Sequence, residues 1–578
     1  MAHSSTKHNK IQRRKNFWGY LFIAPNFIGF VVFMLLPILM SLYYSFTDYD
    51  VITEANFVGF ENYIKLFQDD QFITALLNTL WYCVLTVPAG VILALLLAVL
   101  FTVFSRVNEV GEPEPLEDEE TALERWGALW ELKRFPEQPI RDYLEQWKDR
   151  FWLFHPERPF WQVQEAKIGS PFKGGKLNGE VFESENKSSL FSACAGTGKE
   201  SMDYPQAARW LVSLNNYDDA AAKKKAKDRP LPSMGPGWLG RIGVIYVKGS
   251  NLFETLMRNL MFLQDGGELW EPDIPCWELE DARSGERTEV ACPDNFAELM
   301  TTQFRRILLE RKENKVVGYT VLGGDFFDST NAFAEPMTLW NKKEDKKTGL
   351  VYYDPRKHEM GKQLWREFSA ISDRGGHKPG VIWWNTYLQG RKLLSRKEIL
   401  QVCAVGVEYG AQSASMKDCY TDALSMNLEL LNELGRTWQI CVDDEVNNCE
   451  QAARIVGRLA QNLALAAGDK NDTGAEAARA QFYFAVDQPF RRWLQSIDPE
   501  TDEPVEKAAE WQVQAYRLAA ELGKQMVEQA GAAAFVGRRI PEAKNKDKSC
   551  LYTAPKAYNS FLYYLRKLYP KQDEGGTE

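Results

Sequence analysis

Two long stretches without a charged residue lie near the N-terminus, and they constrain the fold of this chain more than any other feature. Residues 17–46 contain no Asp, Glu, Lys or Arg over 30 positions, and residues 72–105 contain none over 34. A membrane-spanning helix needs roughly 20 apolar residues. The pattern predicts two transmembrane helices joined as a hairpin over residues 17–105, with a pair of buried core helices as the alternative.

The flanking charges predict how such a hairpin would be oriented. The tail of residues 1–16 holds five Lys or Arg and no acid, whereas the connector between the two runs holds six acids and one Lys. The positive-inside rule therefore places the tail in the cytoplasm, and with two spans everything after residue 105 returns there. The first run is too long for a cleaved signal peptide and lacks a small-residue cleavage site.

Most of the chain has the composition of a protein that folds in water. Mean hydropathy is -0.37 and net charge is -10, which excludes a disordered chain and one wholly embedded in a membrane. Because the overall charge repels phosphates, a nucleic acid could be held only by local basic surface. The nine Cys form no CxxC pair, so neither a zinc knuckle nor a disulfide framework is indicated, and a reducing cytoplasm suits them.

The sequence after the hairpin changes character twice. Residues 106–394 mix short apolar runs with Gly and Pro, which is typical of a mixed α/β domain. Residues 395–570 are predicted to form a bundle of four helices, which is followed by a tail of residues 571–578. The expected fold class is α+β: two transmembrane-type helices, an α/β domain and a C-terminal four-helix bundle. The predicted helices cover 395–434, 437–467, 474–497 and 505–534, and the second should bury a stripe of Cys449, Ala452, Ala453, Val456, Leu459 and Leu463.

No catalytic motif is complete. The segment ACAGTGKES resembles a nucleotide-binding P-loop, but Ala193 replaces its first Gly and Glu200 replaces the Ser or Thr that would reach magnesium. The body has only three His, in no metal-binding spacing, and no GxSxG elbow. We therefore expect no enzyme, no metal and no cofactor.

Three features could contact nucleic acid: a glycine loop and two lysine clusters. Glycines let a backbone approach phosphates or a narrow minor groove closely. The alternative is that charge runs are solvated loops and that the glycines form turns. The candidate residues are Gly235, Gly237 and Gly240 in PSMGPGWLG, Lys223, Lys224 and Lys225, and Lys342 and Lys343.

Two family resemblances follow from longer strings. NFWGYLFIAPNFIGFVVFMLLPILMSLYYSFTDYD and the segment after it resemble the start of a sugar ABC-transporter permease, over about residues 1–100. Nothing after residue 106 offers the further spans of such a permease, so a complete transporter subunit is not expected. RDYLEQWKDRFWLFHPERPFWQV, LPSMGPGWLGRIGVIYVKGSNLFETLMRNLMFL and AEPMTLW resemble the CasA family, the large subunit of the type I-E CRISPR Cascade complex, over residues 96–570. The two patterns meet within LALLLAVLF, which indicates a fusion at a shared apolar segment.

The CasA resemblance implies a non-catalytic subunit that reads the protospacer-adjacent motif of foreign double-stranded DNA. It also implies strand opening, recruitment of a helicase-nuclease, and assembly with other Cascade subunits and guide RNA. The family's glycine loop falls on Gly235 and Gly237, and its wedge, set in a hairpin, falls on Gln412 with Gly410 and Ala411. Its guide-RNA-side loop falls on Ser192, Thr197 and Lys199. Some members have a lysine that contacts the motif. It would fall near residues 323–325, where this chain has no lysine, and Lys342 and Lys343 could substitute for it.

Two functions from different classes remain open at this point. One is a cytoplasmic CasA-like subunit, membrane-anchored if residues 17–105 insert. The other is a transport-related membrane protein whose soluble part regulates a sugar permease. Partners would discriminate between them: guide RNA and Cascade subunits in the first case, a membrane ATPase in the second.

Overall fold

The chain divides into two compact units, Met1–Thr86 and Val87–Glu578. A computed structural model describes residues 36–47, 56–68, 93–178, 181–182, 187–188, 199–220, 235–272, 274–279, 292–325, 328–372, 374, 376–413, 416–469, 473–541 and 549–570. The helices among these are α1 (Leu36–Tyr44), α2 (Glu61–Gln68), α3 (residues 93–104), α4 (Glu119–Leu132), α5 (Glu137–Gln146), α6 (Gly174–Leu177), α7 (Tyr204–Tyr217), α8 (Leu252–Asn259), α9 (Phe296–Thr301), α10 (Phe368–Ile371), α11 (Gly380–Gly390), α12 (Arg436–Ala467), α13 (Thr473–Gln495), α14 (Pro504–Glu528), α15 (Ala532–Val536) and α16 (Ala554–Leu568).

The described part of the first unit is a small aromatic cluster between α1 and α2. Phe46 packs on Phe60 and Tyr63 with ring centroids 5.4 Å apart in both pairs. The Asn62 amide donates a hydrogen bond to the Thr47 carbonyl at 2.7 Å. Of the first predicted membrane span, residues 17–35 lie outside the described residues. Among the described residues, no helix combines the length and the apolar character that crossing a bilayer requires.

The end of the second predicted span, α3, lies in the core of the second unit. Leu97, Ala98 and Phe104 have no exposed surface. Phe101 packs on Phe262 and Phe296, with centroids 5.9 and 5.2 Å away. The prediction of a transmembrane helix is therefore not supported for this part, because an apolar helix suits a protein core as well as a bilayer. Residues 72–92 of the same run lie outside the described residues.

Two three-stranded antiparallel sheets organise the second unit. One has the order β1-β6-β5 and the other β10-β9-β4; the remaining strands form two-stranded ladders. The strands are β1 (Ser170–Lys173), β2 (Val181–Phe182), β3 (Lys187–Ser188), β4 (Val244–Lys248), β5 (Arg305–Lys312), β6 (Lys315–Gly323), β7 (Leu339–Glu344), β8 (Val351–Arg356), β9 (Ile399–Tyr409), β10 (Met416–Asn427), β11 (Arg538–Pro541) and β12 (Ser549–Tyr552).

The hairpin β9-β10 corrects the prediction of a helix over residues 395–434. The ladder runs from Ile399 opposite Asn427 to Tyr409 opposite Met416, with a bulge near the tip. Strand β9 also pairs with β4, so the hairpin completes a sheet rather than a bundle. The run ILQVCAVGVEY is rich in β-branched residues, which fit a sheet buried on both faces. Periodicity alone does not separate such a run from a buried helix.

The C-terminal bundle consists of α12, α13, α14 and α16. Helix α12 is 32 residues long and packs against the other three. All six residues of its predicted stripe are buried, which confirms that prediction. The fourth helix, α16, begins at Ala554 behind the N-cap Thr553. It is the fourth helix of the bundle instead of residues 395–434, for which the sequence predicts a helix. The second unit is thus a mixed α+β structure.

Candidate functional site

Helix α7 positions the centre of the candidate site. It begins behind Asp203, whose carboxylate accepts a hydrogen bond from the Gln206 amide at 2.8 Å. Pro205 sits in the first turn, where its missing N–H leaves no bond unmade. The helix ends at Tyr217, because Asp218 adopts a ψ of 149°. Residues 215–220, called here the anchor segment, comprise the last three residues of α7 and the three residues after it, and residues 215–219 are buried.

The glycine loop, described from residue 235 onward, is fastened to the anchor segment. The Gly237 amide donates to the Asp218 carbonyl at 3.0 Å. A Cβ at Gly237 would overlap the carbonyl of Asn216, and one at Gly240 would overlap the ring of Tyr409. These two glycines are therefore required by packing within the protein.

Arg305 on β5 joins the glycine loop to the anchor segment. Its guanidinium donates to the Asp218 carboxylate at 2.7 Å and to the carbonyls of Asp219 and Gly235 at 3.1 and 2.9 Å. Its own amide donates to the Asn215 side chain at 2.9 Å. Gly235 has a φ of +88°, and a Cβ there would meet no atom within 4 Å among the described residues beyond its chain neighbours. Of the three glycines of this loop, it is thus the one whose Cβ side is open toward the described part of the chain.

The tip of the β9-β10 hairpin presents the glutamine nominated as a wedge. Ala411 and Gln412 are exposed, and Gln412 has a φ of +57°. The Ser413 amide donates to the Gly410 carbonyl at 3.0 Å and closes a tight turn. This turn holds the Gln412 backbone in a left-handed conformation that non-glycine residues rarely adopt. Gln412 thus lies at the tip of a hairpin, and its function as a wedge stays a prediction.

The hairpin is fastened to the same anchor segment as the glycine loop. The Ala220 amide donates to the Ser413 carbonyl at 2.8 Å, and the Tyr409 hydroxyl donates to the Tyr217 carbonyl at 2.7 Å. Burial, and then the negative charge of Asp218, raise the pKa of Tyr409 above its ordinary value. The hydroxyl therefore stays protonated and keeps its donor role. The loop and the hairpin tip are held in one fixed arrangement.

The two acids of the anchor segment are each paired with a buried cation. Asp218 and Arg305 have side chains that are only 3% exposed. Asp219 pairs with Lys176, and their side chains are 6% and 8% exposed. Because each buried charge has a partner, the segment can stay buried without an unpaired ion. This pairing makes it a rigid support for both loops.

The predicted lysines are only partly within the described residues. Lys342 and Lys343 lie on β7 and are exposed. Lys343 donates to the Asp354 carboxylate at 2.7 Å, and this hydrogen bond raises its pKa, so the ammonium stays charged. Lys223, Lys224 and Lys225 lie outside the described residues.

The predicted guide-RNA-side loop is described only at its end. Lys199 is exposed, and its carbonyl accepts a hydrogen bond from the Asn178 amide at 3.3 Å. Ser192 and Thr197 lie outside the described residues. Within the described ranges, no group of three or more His, Cys, Asp or Glu side chains is arranged to hold a metal ion.

The residues that hold the glycine loop and the hairpin tip in place were not predicted from the sequence. Arg305 and Asp218 are 87 positions apart, and no local pattern marks them as partners. The one available signal was the run Asn215-Asn216-Tyr217-Asp218-Asp219 at the end of an amphipathic helix. Polar residues at the end of a helix predict a solvent-exposed turn, yet all five of these residues are buried.

Comparison with known proteins shows the family. The family model for CRISPR-associated protein Cse1 matches residues 89–522. The CRISPR-associated protein CasA/Cse1 of Thermus thermophilus is 30% identical over 260 residues, which are 43% of this chain and 47% of that protein. The alignment therefore spans about half of that relative.

Solved structures share the fold over most of the chain. The crystal structure of Thermobifida fusca Cse1 superposes with a TM-score of 0.69 at 27% identity, covering 85% of this chain and 92% of that one. A chain of a CRISPR RNA-guided surveillance complex superposes with a TM-score of 0.55 at 16% identity, covering 82% and 95%. Several ABC-transporter permeases match only 80–96 residues at 31–37% identity, which are 14–16% of this chain and 27–32% of the permeases. These short matches do not show the permease family.

Proposed function

Because the chain belongs to the Cse1 family of CRISPR-associated proteins, we propose that it is the large subunit of a type I-E Cascade complex. In this proposal it assembles with the other Cascade subunits and guide RNA. It recognises the protospacer-adjacent motif of foreign double-stranded DNA, aids strand opening, and recruits a separate helicase-nuclease. The chain itself is not an enzyme.

One observation carries the proposal: the glycine loop and the hairpin tip are both bonded to the anchor segment. The Gly237 amide bonds to the Asp218 carbonyl, and the Ser413 carbonyl accepts from the Ala220 amide. A loop that approaches a minor groove and a side chain that separates base pairs must keep a fixed offset. Otherwise opening would not start next to the motif. Proteins that insert side chains between base steps offset unstacking, which costs a few kcal/mol per step, with contacts to the deformed duplex.

The proposal gives each part a separate role. Gly235 supplies the backbone that approaches the minor groove, since its Cβ side is open. Gln412 is the wedge, with Gly410 and Ala411 leaving space beside it. Lys342 and Lys343 contact the phosphates, and the loop that includes Lys199 faces the guide RNA.

The glycine-loop role is tested with Gly235→Asp in a complex reconstituted with guide RNA and the other subunits. The carboxylate should weaken binding of motif-bearing duplex by bulk and by charge repulsion. Gly235→Asn adds nearly the same volume without charge and tolerates the left-handed backbone better than most residues, so it should weaken binding less. Gly390→Asp is the matched control, because Gly390 is exposed and, within the part of the chain that the structure describes, no atom beyond its own helix backbone lies within 4 Å of its Cβ position. Unchanged binding by Gly235→Asp would contradict the proposal.

The wedge role is tested with Gln412→Ala and permanganate footprinting of the target duplex. Initial binding of the motif should persist, while thymines next to the motif should become reactive more slowly. Equal rates of opening in the variant and the parent protein would remove Gln412 from this role.

Membrane anchoring through the N-terminal residues is a separate proposal. With α3 in the core, the uncharged run available for a second span is residues 72–92, still about 20 residues. Full-length protein should then remain in the membrane pellet after alkaline carbonate treatment. Release into the supernatant would exclude integral insertion and leave the Cascade assignment intact.

A further inference from the structure

An open groove of ≈ 550 Å³ lies beside the glycine loop. Pro236 of that loop forms one part of its wall, and strands β7 and β8 with the residues after β8 form the rest. Its lining carries four cations and two acids. The charged lining residues are Arg241, Lys343, Arg356, Lys357, Asp354 and Glu359.

Two of these cations are placed against aromatic rings of the candidate site. The Arg241 guanidinium lies 5.9 Å from the ring centroid of Trp238, which lies in the glycine loop. The Lys357 ammonium lies 6.0 Å from the ring centroid of Tyr409, at the end of β9. Such contacts favour a defined position for a cation over free motion in solvent. Both charges are thus tied to the two elements proposed to meet the duplex.

Two other cations of the groove are each paired with an acidic side chain. Lys343 pairs with Asp354, and Arg356 pairs with the buried Glu367. Lys357 differs: within the described residues, no acidic side chain lies in ion-pair range of it. Packing around its ammonium lowers the pKa of Lys357, and the positive charge of Arg241 lowers it further. The carboxylate of Asp328 acts in the opposite direction on Arg241, whose pKa it raises, so only part of the positive charge of the groove is uncompensated. An anion in the groove would reduce the remaining repulsion between the two cations.

We propose that Arg241 and Lys357 bind phosphates of one strand of the duplex whose minor groove faces Gly235. The inference rests on the proposed function, and it adds a phosphate site that holds the duplex in register beside the glycine loop. Contacts to phosphate fix the position of a protein on a duplex and carry no sequence information directly. The site should therefore contribute to the affinity for every duplex, with or without the motif.

The salt dependence of binding tests the inference. Each phosphate contact adds about 0.9 to the slope of log affinity against log salt concentration. The double variant Arg241→Gln/Lys357→Gln should therefore lower the slope by about 1.8 for the reconstituted complex. Over a fourfold rise in salt concentration, the affinity gap between parent and variant should shrink about 12-fold. Arg241→Lys/Lys357→Arg keeps both charges and should keep most of the slope.

Lys524→Gln in the bundle is the control for loss of a surface cation, because that lysine is 68% exposed and pairs with the exposed Glu528. It should leave the slope unchanged. An unchanged slope in the double glutamine variant would overturn the inference, and so would an equal change in the control. Loss of guide RNA from the complex would also overturn it, because it would assign the groove to RNA. If the parent complex failed to bind motif-bearing duplex, the proposed function itself would fail.

Discussion

Replacing Arg305 with methionine removes the side-chain connection between the glycine loop and the anchor segment and leaves the bond from the Gly237 amide to the Asp218 carbonyl. Methionine fills a similar volume but donates no hydrogen bond. The Asp218 carboxylate would lose its cation while its side chain stays only 3% exposed. The carbonyls of Asp219 and Gly235 would also lose a donor. Breaking a buried ion pair by removing one partner costs about 3–5 kcal/mol.

Hydrogen exchange of individual amides measures the loss of local stability around Arg305. The Gly237 amide bonds to the Asp218 carbonyl, and the Ala220 amide bonds to the Ser413 carbonyl. A loss of about 3–5 kcal/mol corresponds to about 10²–10⁴-fold more frequent opening, since 1.4 kcal/mol is a factor of ten. Both amides should exchange faster by that factor in Arg305→Met. Amides in the middle of α12 should change far less.

A second substitution separates the buried charge from the lost hydrogen bonds. Asp218→Asn in the Arg305→Met background replaces the unpaired carboxylate with a neutral amide. The double variant should therefore be more stable than Arg305→Met alone, because residues in direct contact do not contribute additively. If Arg305→Met left both exchange rates unchanged, Arg305 would not support the site. If the double variant were no more stable, the cost would not come from the buried charge.

Three further substitutions test the packing of the fold. Gly237→Ala should lower the free energy of unfolding by about 1–3 kcal/mol, because the added Cβ would overlap a carbonyl. Gly390→Ala should leave the free energy of unfolding unchanged in the same denaturant titration. Phe101→Ala should cost about 3–5 kcal/mol if α3 is a core helix, whereas Phe484→Ala, at a side chain that is 84% exposed, should stay within about 0.5 kcal/mol. Burial raises the pKa of Asp443 from 3.8 to about 6, so stability should fall as pH rises from about 4 to about 6. Asp443→Asn should remove that part of the pH dependence, and an identical pH profile would contradict it.

The parts of the fold that could be predicted are those with a strict period. The stripe of α12 recurs at helical spacing, and all of it is buried. By contrast, ILQVCAVGVEY lacks a period that separates a buried strand from a buried helix, so residues 399–409 were assigned to the wrong element. The apolar run ending at residue 105 has the same ambiguity between a bilayer and a core. In both cases the surroundings decide, and a single segment does not contain them.

The candidate site, like the fold, has features that the sequence predicts and features that it does not. The hairpin position of YGAQSAS came only from the family resemblance, because the residue pattern predicted a helix over residues 395–434. PSMGPGWLG was recognisable as a loop because glycine and proline mark turns. Their common attachment was not, because it depends on Arg305, which is 87 residues beyond its partner Asp218. The requirement for glycine at residue 237 likewise comes from Asn216, a contact that no local rule predicts.

Site-specific photocrosslinking tests the central claim most directly, namely that the hairpin tip meets the duplex at the motif. A benzoylphenylalanine replaces Gln412 in the reconstituted complex, and the crosslinked nucleotide is mapped on motif-bearing duplex. The control position is Val110, which is 70% exposed. The proposed function predicts crosslinks from position 412 at the first base pairs beside the motif and none from position 110. Crosslinks from position 412 only to protein, or equally to any part of the duplex, would contradict it.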